Sequence, residues 1–134
     1  MKTYDAIVVG LGGVGSAAAF HLASRGVRVL GLERFTAGHD CGSSHGHTRV
    51  IRKAYYEHTD YVPLLREAYR LWHDLEQRSG KKLFHETGLL QVGPASGEVI
   101  SGVLKSAEIH RLAIEKLAAD EVISRFPGFK VPEQ

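Results

Sequence analysis

The 134-residue chain is long enough for one ordinary domain, and its 43% hydrophobic and 24% charged residues are typical of a soluble globular protein. A formal charge of +2, without a basic run interleaved with aromatic residues, argues against a nucleic-acid partner. The single cysteine, Cys41, excludes an internal disulfide and fits a reducing compartment, and no apolar stretch approaches membrane-spanning length. We therefore expect a cytoplasmic protein with neither nucleic-acid nor membrane partners.

The N-terminal stretch has the element order of a βαβ unit. Its residues predict a strand from Tyr4 to Val9, a helix from Val14 to Ser24 and a second strand from Val27 to Leu32. Gly26 is a suitable residue for the left-handed turn that ends the helix. The second strand is rich in valine and leucine, so we expect it to be buried in a parallel sheet.

Three glycines follow the first strand with the spacing G-x-G-x-x-G, at Gly10, Gly12 and Gly15. In dinucleotide-binding units the first allows a tight turn, the second lets the backbone approach a pyrophosphate, and the third lets the helix pack closely on the strand. The helix N-terminus offers free N–H groups to the phosphates. Glu33 follows the second strand, where an acidic side chain accepts hydrogen bonds from an adenosine ribose. Together these features predict a dinucleotide site.

A second notable stretch is GSSHGHTRVIRKAY, from Gly42 to Tyr55. It begins within an irregular loop, Thr36 to His47, whose two adjacent serines offer hydroxyl and backbone N–H groups. Arg49 and Arg52 add two permanent cations, and a guanidinium suits a carboxylate or an anionic ring because its donors form a rigid fork. The simpler alternative is a pair of solvated surface arginines.

The remainder of the chain predicts helices separated by short strands. Trp72 and Leu75 are expected in the core of the first of these helices, which Thr59 or Asp60 can cap and Gly80 ends. The predicted elements are a helix through Arg78, a strand from Phe84 to Val92 broken at Gly88, a helix from Ser96 to His110, a short strand from Ala113 to Leu117 and a short helix from Asp120 to Arg125.

The residues from Tyr4 to Tyr55, above all GHTRVIRKAY (Gly46 to Tyr55), resemble the start of the monomeric sarcosine oxidase family, which includes N-methyltryptophan and pipecolate oxidases. The resemblance continues through the Trp72 helix, TGLLQVGP (Thr87 to Pro94) and RFPGFKVPE (Arg125 to Glu133). It implies an α/β fold with a Rossmann-like βαβ FAD-binding domain, of the glutathione-reductase type and similar to D-amino-acid oxidase.

The same resemblance implies an FAD enzyme that oxidises the C–N bond of a secondary amino acid such as sarcosine, while O2 is reduced to hydrogen peroxide. FAD is then the expected cofactor, and a small secondary amino acid and O2 are the expected partners. The candidate catalytic residues are Arg49, which would stabilise negative charge on the reduced flavin, Arg52, which would pair with the substrate carboxylate, and His45, near the flavin. The candidate cofactor-binding residues are Gly10, Gly12, Gly13, Val14, Gly15, Glu33, Arg34, Ser43, Ser44, Thr48 and Arg49.

The chain is much shorter than the members of that family. We therefore expect residues 1–134 to be the N-terminal portion of an FAD-dependent oxidoreductase domain, without the remaining FAD-binding and substrate-binding portions. The family's flavin-linking cysteine and oxygen-activating lysine would lie in those portions, and Cys41 lies in the wrong region for the first role. The chain is not expected to turn over substrate alone.

Three other interpretations remain open from the sequence. The glycine motif alone is compatible with a nicotinamide-dependent dehydrogenase or with a non-catalytic dinucleotide-binding fragment. A metal-binding loop is the third, because zinc accepts histidine and cysteine donors, although the spacing matches no common zinc pattern. Its candidate ligands are His39, Cys41, His45 and His47.

Overall fold

A computed structural model of the protein describes residues 2–130. The chain divides into an N-terminal unit, Met1–Arg49, and a C-terminal unit, Val50–Gln134. The end of the predicted Arg125 to Glu133 segment lies outside the described residues. The elements are β1 (Ala6–Val9), α1 (Gly13–Ser24), β2 (Val29–Leu32), α2 (Tyr61–Ser79), α3 (Glu98–His110) and α4 (Ala119–Arg125).

The N-terminal unit is the predicted βαβ arrangement. Strands β1 and β2 pair in parallel, with Ala6 opposite Val29 and Val9 opposite Leu32. Helix α1 connects them and is followed by Gly26, which has a φ of 81°. Both strands begin slightly later than predicted, a normal uncertainty at element ends.

The predicted burial of β2 is wrong for this structure. No described residue of the N-terminal unit is fully buried, and Val9 and Leu32 are 82% and 46% exposed. Residues 2–130 contain β1 and β2 as their only strands, so each has an unpaired edge within that range. A parallel sheet is normally covered on both faces, and this pair of strands lacks such cover.

The C-terminal unit contains α2, α3 and α4 and, among residues 2–130, the most buried side chains. Gly80 ends α2 in the left-handed region, at a φ of 65°, as predicted. Asp60 is at the predicted start but makes no side-chain capping bond. Among the described residues, Val62 and Ser106 are fully buried, and Ala107 and Val122 are nearly so.

The two strands predicted in the C-terminal unit are absent from the structure. The segments Phe84 to Val92 and Ala113 to Leu117 are irregular, and neither pairs with another strand within residues 2–130. A strand is defined by a hydrogen-bonded neighbour, which local sequence does not supply. Trp72 and Leu75, predicted in the core, are each 38% exposed, so that prediction is also wrong.

Glu76 ties the C-terminal part of α2 to the residues that follow the helix. Its carboxylate accepts hydrogen bonds from the backbone N–H groups of Leu83 and Phe84, both at 2.7 Å, and from Lys82 Nζ at 3.1 Å. The N–H of Phe84, followed by that of Leu83, lowers the pKa of Glu76 to about 2. The segment is therefore held by side-chain to backbone bonds in place of a strand ladder.

Between residues 2 and 130, every helix is too short or too polar to cross a bilayer.

Candidate dinucleotide-binding site

The glycine turn after β1 is open at the two positions where a pyrophosphate would approach. Gly10 has a φ of 86°, which favours glycine, and its N–H donates to Leu32 O at 2.7 Å. A Cβ added to Gly10 or Gly12 would meet no other atom within 4 Å. The free space beside both residues therefore leaves room for a ligand against the backbone.

The third glycine is needed for a different reason. A Cβ on Gly15 would overlap the Gly10 carbonyl and lie 3.4 Å from Val8 Cγ1. The obstacle is backbone, which moves less easily than the end of a flexible side chain. Gly15 thus allows the first turn of α1 to lie directly against the glycine turn, as its place in the motif predicts.

The Glu33 carboxylate faces the glycine turn. Its Oε2 accepts a hydrogen bond from the Leu11 N–H at 2.7 Å, and its Oε1 accepts from the N–H groups of Arg34 at 2.7 Å and Phe35 at 3.2 Å. These hydrogen bonds lower the pKa of Glu33. The bond from the Leu11 N–H has the largest effect, and the bond from the Phe35 N–H has the second largest. Glu33 is therefore an anionic acceptor fixed at the carboxyl end of β2.

A cleft of about 410 Å³ opens at the carboxyl ends of β1 and β2. Ligands of open parallel sheets bind at this edge. The Arg34 guanidinium lies 5.0 Å from the centre of the Phe35 ring. The residues that line the cleft are Val9, Gly10, Leu32, Glu33 and Arg34.

The serine loop approaches the N-terminus of α1. A Cβ added to Gly13 would lie 2.6 Å from Ser44 Oγ, so the hydroxyl occupies space that only a glycine leaves free. Val14, in the same helical turn, is 85% exposed. The structure thus brings together two of the predicted cofactor-binding residues, Gly13 and Ser44, at the helix end where anions bind.

Backbone carbonyls of the serine loop surround the Arg49 guanidinium. Its Nη1 donates to Thr48 O at 2.7 Å, and its Nη2 donates to Ser43 O at 3.1 Å and to His45 O. Gly46 gives it room, because a Cβ there would overlap the guanidinium. The predicted residues Ser43, His45, Thr48 and Arg49 are therefore together, with the guanidinium bonded to loop carbonyls.

His39 is a contact of the site that sequence reasoning missed. Its Nε2 lies 3.5 Å from Glu33 Oε2, with the two side chains only 12% and 14% exposed. Its Nδ1 accepts a hydrogen bond from the Cys41 N–H at 3.2 Å, and its ring lies 4.9 Å from that of Phe35. A histidine in a glycine-rich loop gives no sequence signal for this role.

The histidines and the cysteine of the loop do not form a metal site. Cys41 is exposed, and its thiol lies 3.6 Å from Asp40 Oδ1. Within residues 2–130, no three histidine, cysteine or acidic side chains are grouped as metal ligands. The arrangement proposed for a metal, with His39, Cys41, His45 and His47 as ligands, is therefore not present.

Arg52 belongs to the C-terminal unit, where aromatic rings and a carboxylate surround it. Its Nη2 donates to Glu57 Oε1 at 2.5 Å, and its guanidinium lies 4.3 Å and 5.2 Å from the ring centres of Tyr55 and Tyr56. Its Nε is buried without a hydrogen-bond partner. The side chain is thus held by one carboxylate and retains an unused donor.

Helix α3 supports the backbone next to Arg52. The fully buried Ser106 donates its hydroxyl hydrogen bond to Tyr55 O. A Cβ on Gly102, one turn earlier, would lie 2.9 Å from Tyr56 Cα. These two small residues let α3 contact the tyrosine segment directly.

The sequence profile of the FAD dependent oxidoreductase family matches residues 5–133. The chain belongs to this family. FAD is accordingly the cofactor of the family, and the open glycine turn, the Glu33 carboxylate and the helix N-terminus fit its ADP half. An FAD-binding fold of the kind predicted from the sequence is confirmed.

Relatives of this FAD dependent oxidoreductase chain include amino-acid oxidases. It is 47% identical over 125 residues to monomeric sarcosine oxidase of Streptomyces avermitilis, covering 93% of this chain and 33% of the relative. It is 38% identical over 130 residues to N-methyl-L-tryptophan oxidase of Yersinia pestis, covering 97% and 35%. The chain thus spans about a third of the length of these relatives.

A solved structure of a mutant of NikD shares the fold. NikD is an unusual amino acid oxidase essential for nikkomycin biosynthesis, and the structure shows its open form. The TM-score is 0.71 at 35% identity, with 92% of this chain and 32% of NikD covered.

Proposed function

We propose that this chain is the ADP-binding portion of an FAD-dependent oxidase of N-methylated or other secondary amino acids. In that role, residues 1–134 supply the N-terminal part of an FAD-dependent oxidoreductase domain. The remaining FAD-binding and substrate-binding portions would come from polypeptide corresponding to the other two-thirds of the relatives. Sarcosine is the simplest substrate of this class.

The observation that carries the proposal is the direction of the Glu33 carboxylate. It accepts the Leu11 N–H inside the glycine turn and also lines the cleft at the strand ends. A ribose in that cleft can donate its hydroxyls to Glu33 while its pyrophosphate lies against Gly10 and Gly12. The N–H groups of the first turn of α1 would then stabilise the phosphate charge.

FAD supplies the oxidation step, in which the substrate C–N bond becomes an imine and O2 becomes hydrogen peroxide. The residues of the serine loop would hold the part of the cofactor beyond the ADP. Ser43, Ser44 and Thr48 offer hydroxyl and backbone donors there, and Arg34 adds a cation beside the cleft. Arg49 can stabilise a negative charge electrostatically if its guanidinium exchanges a loop carbonyl for the ligand.

Arg52 is the proposed partner of the substrate carboxylate. Its guanidinium has a free buried Nε, and its Nη2 is bonded to Glu57. A substrate carboxylate therefore has to compete with Glu57 for a charge-assisted pair. His45 is proposed to lie close to the reacting part of the cofactor.

The proposal is tested first by cofactor binding. The purified chain is titrated with FAD, following flavin fluorescence, and NAD is added as a competitor. Binding of FAD that Glu33→Gln weakens supports the proposed function. Absence of FAD binding, or preference for NAD, contradicts it.

The substrate class is tested in a chimera. The chain replaces the corresponding N-terminal third of the Streptomyces avermitilis monomeric sarcosine oxidase, and peroxide release is measured with sarcosine and with N-methyl-L-tryptophan. Arg52→Ala should raise the KM far more than it lowers kcat, while Glu57→Gln should lower the KM. Glu86→Gln, a change of another exposed carboxylate of the same unit, is the control.

A further inference from the structure

His39 contacts the most important carboxylate of the candidate site without being one of the residues that line the cleft. Its Nε2 lies 3.5 Å from Glu33 Oε2, and the cleft is bounded by residues of the glycine turn and the end of β2. The imidazole therefore approaches Glu33 from outside the space that a ribose would fill. His39 can therefore contact Glu33 without occupying the space of the ribose.

The tautomer of His39 follows from its other contact. Because the Cys41 N–H donates to Nδ1 at 3.2 Å, Nδ1 is the acceptor of the neutral ring, and the proton is on Nε2. Nε2 lies on the side of the ring nearest to the Glu33 carboxylate, 3.5 Å from Oε2. The ring is also held by Phe35, whose centre is 4.9 Å away. The position of the His39 ring beside Glu33 is thus fixed before any ligand arrives.

One hydrogen bond and one longer polar contact reach the same oxygen of Glu33. The Leu11 N–H comes from the glycine turn, and His39 Nε2 comes from the loop after β2. The other oxygen accepts the N–H groups of Arg34 and Phe35. A carboxylate bonded in this way cannot rotate about its last torsion without losing several hydrogen bonds, so its orientation toward the cleft is preserved.

We propose that His39 is a positioning residue that fixes the Glu33 carboxylate for the ribose hydroxyls of a dinucleotide. The inference rests on the proposed function and deepens it, because it assigns ribose recognition to a pair of side chains. The loop between Phe35 and Cys41 is thereby coupled to the cleft. Fixing an acceptor in advance reduces the ordering cost of binding.

The experiment compares two ligands and two substitutions in the 134-residue chain. ADP and an ADP analogue lacking both ribose hydroxyls are measured as competitors of bound FAD. His39→Asn keeps an acceptor for the Cys41 N–H but is too short to reach Glu33. His39→Gln places an amide donor close to the position of Nε2.

His39→Asn should weaken ADP binding about five-fold, the effect of losing one polar contact to Glu33, and leave binding of the analogue unchanged. His39→Gln should restore ADP affinity to within about two-fold of the wild-type value. His47→Asn, at an exposed histidine of the same loop, is the matched control and should change neither affinity. Combining His39→Asn with Glu33→Gln should weaken ADP binding no more than Glu33→Gln alone, because His39 acts through Glu33.

Equal losses for both ligands would overturn the inference, since a merely structural role affects them alike. Tighter ADP binding by His39→Asn would also overturn it, because His39 would then be a competitor of the ribose. Failure of His39→Gln to restore affinity, with an unchanged melting temperature, would do the same. A wild-type chain that binds no FAD would instead overturn the proposed function, so the two failures are distinguishable.

Discussion

The two units of the chain are stabilised in different ways. The N-terminal unit has no fully buried residue in its described part, and its geometry depends on a parallel strand pair, the glycine turn and the bonds to Glu33. The C-terminal unit contains Val62, Ser106, Ala107 and Val122, all buried. The comparison teaches that a ligand site can be shaped by local backbone geometry where little apolar surface is covered.

The largest effect is expected from a methyl group at the glycine turn. Gly15→Ala places a Cβ into the Gly10 carbonyl, so we expect a loss of about 3 kcal/mol in the free energy of unfolding and no detectable FAD binding. Chemical denaturation and flavin fluorescence measure the two effects.

Gly12→Ala is the matched control for this prediction. Its Cβ would meet no atom within 4 Å, and Gly12 has a φ of −66°, which alanine tolerates. It should therefore retain stability and lose FAD affinity, because the methyl group occupies the space of the phosphates. Equal stability of the Gly15 and Gly12 variants would show that the N-terminal unit is not shaped by this contact.

In the C-terminal unit, a glycine-to-alanine substitution should lower stability by disturbing the packing of α3. Gly102→Ala places a Cβ 2.9 Å from Tyr56 Cα, so we expect a loss of about 2 kcal/mol in the free energy of unfolding. Ser101→Ala, on an exposed position of α3, should cost much less. A Gly102→Ala variant as stable as the wild type would mean that α3 moves away from the tyrosine segment at little cost.

A third effect is pH dependence in the C-terminal unit. The pKa of Glu76 is lowered from 4.5 to about 2. Its contribution to folding stability is therefore complete above about pH 4.5 and is lost as the pH falls through about 2. Glu76→Gln should lower the melting temperature at neutral pH, and its difference from the wild type should shrink over that acidic range.

Glu67→Gln is the control for the Glu76 prediction. Glu67 is an exposed carboxylate of the same helix, paired with Arg70 at 2.6 Å. An exposed pair contributes little, so this variant should remain close to the wild type at every pH. A constant difference between Glu76→Gln and the wild type down to about pH 2 would contradict the role assigned to the backbone bonds of Glu76.

The smallest effect is expected for the surface pair at the start of the sheet. Arg28 donates to both oxygens of Asp5, at 2.8 and 2.6 Å, and keeps the pKa of Asp5 below its ordinary value. Asp5→Asn should cause a small fall in melting temperature that disappears in about 1 M salt, where the Debye length is about 3 Å. A fall independent of salt would indicate that the backbone bond from Arg28 to Asp5 matters more than charge.

The sequence was most informative where structure depends on neighbouring residues. The order β1, α1, β2 and the position of Glu33 follow from glycine spacing and strand pattern, which act over a few residues. Helices α2, α3 and α4 also follow from local periodicity and end signals.

The errors arise where structure depends on distant partners. The segment from Phe84 to Val92 has the residues of a strand, but within residues 2–130 no neighbouring strand pairs with it. The contacts of His39 and Glu76 were missed, because each joins a side chain to groups that only the folded loop brings near. The bonds from Arg49 to loop carbonyls were unpredictable for the same reason.

The single thiol of the chain has a practical consequence. Cys41 is exposed, and its N–H is bonded to the imidazole that contacts Glu33. A maleimide-linked dye would attach at that one position without any engineered cysteine. Its emission would then report nucleotide occupancy in real time, including for colourless ligands that carry no flavin.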